Sequence, residues 1–201
     1  MRRVVVLAFL ALALPIAAWA DNIDLTNQFG TISVSNSGIS SIGSQLKTYN
    51  GITATPGHSL GSVSFTTGAL LTGSITGGGT FAGGASSSFI VTGKGNFGQP
   101  KGAIFTGSFV GPVNWTVVSH VGQTYTFQLS GTITGTLWDG RSATGTTTQT
   151  IYSSNGQIFR GIGHIRVGTT SLTTPEPGTL GLLGTGLVGI AGMFRRKLIG
   201  T

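Results

Sequence analysis

Thr124-Tyr-Thr-Phe-Gln-Leu-Ser-Gly-Thr-Ile-Thr-Gly-Thr-Leu137 is the stretch that decides the fold. Tyr125, Phe127, Leu129, Ile133 and Leu137 occupy every second position, with Gly131 and Gly135 filling the gaps. Thr124, Thr126, Gln128, Ser130, Thr132, Thr134 and Thr136 occupy the others. Successive strand side chains point to opposite faces, so this alternation predicts one long β-strand with a buried face and a wet face. Glycine on the buried face predicts bends or a close backbone neighbour.

Working outward, Asp139-Gly140 is a tight-turn signal, and the chain returns as a strand over 144–152. Asn155-Gly156 is a second such signal before a strand over 158–167. There Phe159, Ile165 and Val167 share a face with Gly161 and Gly163, while Arg160, His164 and Arg166 share the other with Ile158 and Ile162. Earlier strands are expected at 30–35, 62–67, 70–75, 88–92, 103–110 and 113–119. The segment 37–49 is ambiguous and allows a short helical turn near Ser44. Pro56-Gly57, Gly77-Gly78-Gly79, Gly83-Gly84 and Gln99-Pro100 read as loops. The form [ST]-G-[ST]-apolar-x-G recurs at 72–77, 106–111 and 130–135, at unequal spacing, as in similar strands of a meander rather than a solenoid. The expected fold class is all-β, an antiparallel meander of about eight to ten strands, either a sandwich or an up-and-down barrel.

The two ends of the chain differ from this middle. Arg2 and Arg3 precede an apolar run from Val4 to Ala18, and Ala18-Trp19-Ala20 has small residues at both positions of a cleavage site. That pattern predicts a secretory signal peptide cut before Asp21, and export by Sec-type machinery. At the other end stand Pro175-Glu176-Pro177, then an uncharged run from Gly178 to Phe194, then Arg195-Arg196-Lys197. As a helix, sixteen residues of that run would be roughly 24 Å long, a marginal span for a core of about 30 Å. Snorkelling of Arg195, Arg196 and Lys197 would help it, and a basic cluster stays on the cytoplasmic side. Pro175 and Pro177 keep the intervening backbone extended, a form that a protease-like cleft binds along its length.

The triplet, the Leu/Gly-rich apolar segment and the basic cluster, in that order, resemble the PEP-CTERM sorting signal. The resemblance covers about the last 25 residues; Thr174 stands where the family often has Val. It implies recognition by exosortase, a membrane-embedded cysteine transpeptidase-like enzyme, with Pro175, Glu176 and Pro177 as the recognition residues. It also implies cleavage near the motif, passage from a transient inner-membrane anchor to the cell surface, and a Gram-negative host that makes exopolysaccharide. The expected organisation is a signal peptide over 1–20, a β-rich ectodomain over 21–168 and a linker with the triplet over 169–177. A membrane helix over 178–194 and a basic cytoplasmic tail over 195–201 follow.

The formal charge of +7 belongs largely to these ends. Between them Lys47, Lys94, Lys101, Arg141, Arg160 and Arg166 face only Asp21, Asp24 and Asp139. That sparse balance is unlike the dense basic stripe of a nucleic-acid binder, and none is expected as partner. The chain has no cysteine, which excludes disulfides and thiolate metal sites.

Catalytic patterns are thin. Paired-carboxylate chemistry needs two acids across a bond, yet two of the three aspartates lie at the start of the ectodomain and Asp139 has a turn to make. No G-x-S-x-G elbow occurs. His58, His120 and His164 lack short-range metal-ligand spacing. Gly93-Lys-Gly-Asn-Phe-Gly98 matches G-x-G-x-x-G without the following helix that a phosphate loop needs. No catalytic residue, metal or cofactor is therefore expected. Arg160, His164 and Arg166 on one strand face form a candidate polyanion patch, with Lys94 and Lys101 flanking a loop and Trp115, Trp138 and Tyr125 as candidate sugar-stacking faces. The expected function is a non-enzymatic cell-surface or matrix protein associated with exopolysaccharide or biofilm. The alternatives are a secreted hydrolase with an atypical site and a simple single-pass anchored carbohydrate-binding domain.

Overall fold

The computed structural model describes residues 21–153 and 159–175. The expected signal peptide with Ala18 and Ala20, the turn at Asn155-Gly156, Glu176 and Pro177, the apolar run and Arg195, Arg196 and Lys197 all lie outside the described residues. Residues 22–174 form one compact unit.

Thirteen strands are present among the described residues: β1 (Asn22–Gln28), β2 (Thr31–Ser35), β3 (Gly38–Ile42), β4 (Ser44–Tyr49), β5 (Ile52–Thr53), β6 (Gly61–Thr66), β7 (Leu70–Ser74), β8 (Gly78–Phe81), β9 (Ser88–Lys94), β10 (Lys101–Val121), β11 (Thr124–Leu137), β12 (Ser142–Ser153) and β13 (Ile162–Thr173). From β13 each strand pairs antiparallel with the next, through β12, β11, β10, β9, β6, β4 and β1. β1 then returns to β13, with Asn22 opposite Thr173. The sheet is thus an eight-stranded antiparallel barrel, which decides between the barrel and the sandwich.

The shorter strands extend this ring. β2 continues β1 past a bend at Phe29 (φ 65°) and Gly30 (φ 88°), and β3 reaches β4 past Gly43 (φ 76°). A Cβ on Gly30 would lie 2.5 Å from the Ser44 nitrogen, so the two bends sit back to back and only glycine fits. β10 pairs β9 with its first part and β8 with its second, the register shifting between Val110 and Asn114 beside Gly111 (φ 72°).

Period two governs burial, as the sequence requires. In β11, Phe127, Leu129, Ile133 and Leu137 are buried while Thr132 and Thr136 are exposed. Phe65, Phe89, Phe105 and Phe109 pack inside with ring centroids 5.9–6.3 Å apart. A second stack joins Trp115 to Phe127 at 4.5 Å and Phe127 to Phe159 at 4.6 Å. Each such side chain withdraws about 150–250 Å² from water, on the order of 2–3 kcal/mol. Outside, hydroxyls pair across strands: Thr26 with Thr48 at 2.7 Å, Ser62 with Thr92 at 2.7 Å, Thr66 with Ser88 at 2.8 Å and Thr72 with Thr80 at 2.7 Å. This apolar-in, hydroxyl-out arrangement is the reverse of the apolar outer band of an outer-membrane barrel.

Several expectations change. The segment 37–49 is two strands, and the helical turn near Ser44 is replaced by the bend at Gly43. The strands at 103–110 and 113–119 are one strand of 21 residues. Gly78 and Gly79 belong to β8 rather than a loop. β1, absent from the sequence reading, closes the barrel. The linker expected from 169 is strand through Thr173, held on both sides by Asn22 and Thr144, so the barrel domain extends past 168.

Candidate functional site

The outward face of β13 is set by a bulge. Thr150 pairs with Val167 and Ile151 with Ile165, which leaves Arg166 as the extra residue. Before it Phe159, Gly161, Gly163 and Ile165 are buried, and after it Gly168, Thr170 and Leu172 are buried. Ile162, His164 and Arg166 point outward, as the alternation predicts. Arg160 is exposed too, but β13 begins only at Ile162, so Arg160 precedes the strand across the bend at Gly161 (φ 87°) rather than lying on it as expected. Tyr152 of β12 stands opposite His164, with ring centroids 6.3 Å apart. Arg166, Tyr152, Thr124 and Thr126 line a shallow surface depression of about 280 Å³.

Charge is distributed unevenly along the barrel. Asp24 stands opposite Ser171, Asp139 lies in the β11–β12 turn and Asp21 precedes β1, so all three aspartates lie towards the end where β13 finishes. Among the described residues, no carboxylate forms an ion pair with Arg160 or Arg166. Asp139 is occupied by its own turn. It accepts from the Arg141 backbone N–H at 3.1 Å and from Arg141 Nε at 2.7 Å. The Arg141 backbone bond, then its guanidinium, hold the Asp139 carboxyl below the usual carboxylate range.

The remaining candidates scatter. Lys94 and Lys101 are register partners at the opposite end of the barrel from Arg160, with Lys94 Nζ donating to Ser59 Oγ at 2.7 Å. They do not extend the patch. Trp115 is 1% exposed, and its Nε1 donates to the Ile75 carbonyl at 2.9 Å. It is a core residue and not a stacking platform, because its ring lies against Phe127 inside the barrel. Tyr125 is half-buried between His120, at 3.9 Å, and Phe127. Trp138 alone of the three is open, at 57% exposed. His58 lies on the β5–β6 loop, His120 at the tip of β10 and His164 on β13, and among the described residues no three of His, Asp and Glu gather as a metal set.

The G-x-G-x-x-G loop is a braced turn. Gln99 is 3% exposed; its Nε2 donates to the Leu60 carbonyl and to Asn96 Oδ1, each at 2.8 Å, and its Oε1 accepts from the Phe97 N–H at 2.9 Å. Gln99 thereby braces the loop from within, and the Phe97 N–H is already used. Sequence reasoning missed Gln99 and also a buried polar chain. In it Asn27 Nδ2 donates to Ser44 Oγ at 2.7 Å, Gln149 Nε2 donates to Thr147 Oγ1 at 2.9 Å, and Thr147 shares a hydrogen with Thr170 at 2.9 Å. The one signal in the sequence is phase: Asn27 falls on the face of Ile23 and Leu25, and Thr147 and Gln149 on that of Ile151.

The last strand leads directly into the remaining candidate. Thr173 is the final residue of β13, Thr174 is buried and Pro175 is exposed. Residues 173–197 match the family model of the PEP-CTERM protein-sorting motif. That motif marks an exported protein for exosortase-dependent sorting at the membrane. The barrel itself has no match among curated proteins or solved structures.

Proposed function

We propose that this chain, which carries a PEP-CTERM protein-sorting motif, is a non-enzymatic surface protein whose barrel holds anionic exopolysaccharide on the outward face at the start of β13 and of the segment that leads into it. The motif supports export and sorting by exosortase, with Pro175, Glu176 and Pro177 as the residues read. The observation that carries the binding role is the alignment of Arg160, His164 and Arg166 beside Tyr152, with the carboxylates at the other end. Guanidinium groups pair with the carboxylates of acidic sugars through charge-assisted bonds. Tyr152, 38% exposed, offers a ring edge and a hydroxyl beside them, and Thr124 and Thr126 add weaker polar contacts. Asp139, held in its ion pair, is not the poised acid that hydrolysis needs.

The test compares the full-length chain with its Arg160→Ala/Arg166→Ala double variant in the exporting host. Retention in isolated acidic exopolysaccharide should fall in the variant while secretion stays level. Equal retention would remove the polysaccharide role from this face. Turnover of any polysaccharide or ester by the purified barrel, abolished by one Asp139 or histidine substitution, would replace this reading with a hydrolase.

A further inference from the structure

A single residue, Thr174, separates the last strand of the barrel from the sorting triplet. Thr173 is held by Asn22 on one side and Thr144 on the other, and Thr174 is 5% exposed. Only Pro175, Glu176 and Pro177 separate Thr174 from the uncharged run that starts at Gly178. An extended chain covers at most about 3.6 Å per residue, so the triplet reaches no more than about 11 Å from the barrel end. Even a domain of about 100 residues has a radius of gyration of about 13 Å. A protein that grips the triplet along its length must therefore touch the barrel rim.

One feature of that rim suits such contact. β11 and β12 run on past the end of β13: Thr173 stands opposite Thr144, whereas Thr136 and Ser142 still pair beyond it. The turn after them presents Trp138 at 57% exposure. Its backbone is fixed, with Trp138 N donating to the Ile104 carbonyl at 2.9 Å and Leu137 N to the Arg141 carbonyl at 2.8 Å. The Asp139–Arg141 ion pair braces it further. An open tryptophan on a fixed turn loses little entropy when covered, and tryptophan is among the residues that dominate protein interfaces.

We propose that the rim around Trp138 is a docking surface for the membrane enzyme that processes the sorting motif. The proposal rests on the sorting reading above. Recognition then has two parts, the triplet in the cleft and the indole beside it, and the Arg160 end of the barrel stays clear of the enzyme.

The experiment is pulse-chase conversion of the full-length chain to its shortened mass in a host that has the processing enzyme. Trp138→Ala should slow conversion several-fold while leaving the unfolding midpoint unchanged, since the indole lies outside the core. A flexible Gly/Ser spacer of about twelve residues between Thr174 and Pro175 should abolish the difference between the chain with its native Trp138 and the Trp138→Ala variant, by moving the rim away from the cleft. Wild-type conversion of Trp138→Ala in the spacer-free chain would overturn the docking surface, as would an equal slowing in the spacer chain. Glu176→Ala separates the two levels: if it blocks conversion, the sorting reading stands whatever Trp138→Ala does. If Glu176→Ala is converted normally, the sorting reading falls and the docking surface falls with it.

Discussion

Asn27 and Gln149 exchange two side-chain hydrogen bonds, at 2.9 and 3.2 Å, over the bare backbone of Gly168. Gly168 is the register partner of both, of Asn27 on β1 and of Gln149 on β12. The two amides thus close the barrel across the strand that lies between them. Both are at most 1% exposed, and among the described residues no buried side-chain polar atom lacks a partner. In so dry a place, an unmade hydrogen bond is costly and a made one fixes register.

Gln149→Leu should therefore destabilise the barrel by about 1–3 kcal/mol, because Asn27 Oδ1 loses the donor that Gln149 supplies, while Asn27 Nδ2 keeps only Ser44. Gly168→Ala should do at least as much, since its Cβ would sit 2.0 Å from Gln149 Oε1 and 2.3 Å from Asn27 Oδ1. The exposed pair of Thr66 and Ser88 is the control: Thr66→Val should stay within about 0.5 kcal/mol. Denaturant unfolding of the three variants, at unchanged slope, checks this.

Gly107 and Gly135 face each other in register on β10 and β11. A Cβ on Gly107 would lie 2.2 Å from the Thr134 carbonyl, and one on Gly135 would lie 2.2 Å from the Thr106 carbonyl. Alanine at either position should cost about 1–3 kcal/mol by forcing the strands apart. A lowered thermal midpoint, with the loss in the double variant smaller than the sum of the singles, is the expected measurement.

The two tryptophans should behave oppositely on truncation. Trp115→Ala removes a buried ring stacked on Phe127 and should cost about 3–5 kcal/mol, enough to unfold a marginal domain. Trp138→Ala should leave stability within about 0.5 kcal/mol. Iodide quenching of the wild-type barrel should reach Trp138 and spare Trp115.

Asp139 gives the barrel a small acid sensitivity. Its folded-state pKa is depressed, chiefly by the Arg141 backbone bond and then by the Arg141 side chain. The stability it contributes is complete above the unfolded carboxyl value of about 3.9 and disappears as pH falls through the lower folded value. Asp139→Asn should thus be slightly less stable than wild type at about pH 6, with the gap closing as the pH is lowered below about 4. Unfolding midpoints measured across that range test the sign.

The outward placement of His164 and Arg166 on β13 was legible because the period runs unbroken from Ile162 to Arg166, whereas Arg160 lies before the strand. Arg160, His164 and Arg166 alternate with Phe159, Gly161, Gly163 and Ile165, and burial follows. The alternation fails after Arg166, where the bulge reverses the faces and buries Gly168, Thr170 and Leu172. A bulge is a pairing irregularity, so it depends on the partner strand and leaves no local mark. Trp115 shows the same limit. An aromatic residue between Asn114 and Thr116 reads equally as core or as a sugar platform until its neighbour Phe127 is placed.

The sequence by itself determined the all-β class, the two faces of long strands such as β11, the Asp139-Gly140 turn and the sorting motif, because each is written in residues close together along the chain. Tertiary structure alone decided that the strands close into a ring, that Asn27 and Gln149 are inside it, and that 169–173 is strand rather than linker. Closure joins β1 to β13, from opposite ends of the domain, and no local periodicity encodes which distant edge a strand will meet. Burial of an asparagine becomes favourable only when distant partners satisfy its amide, here Ser44 and a glutamine 122 positions away.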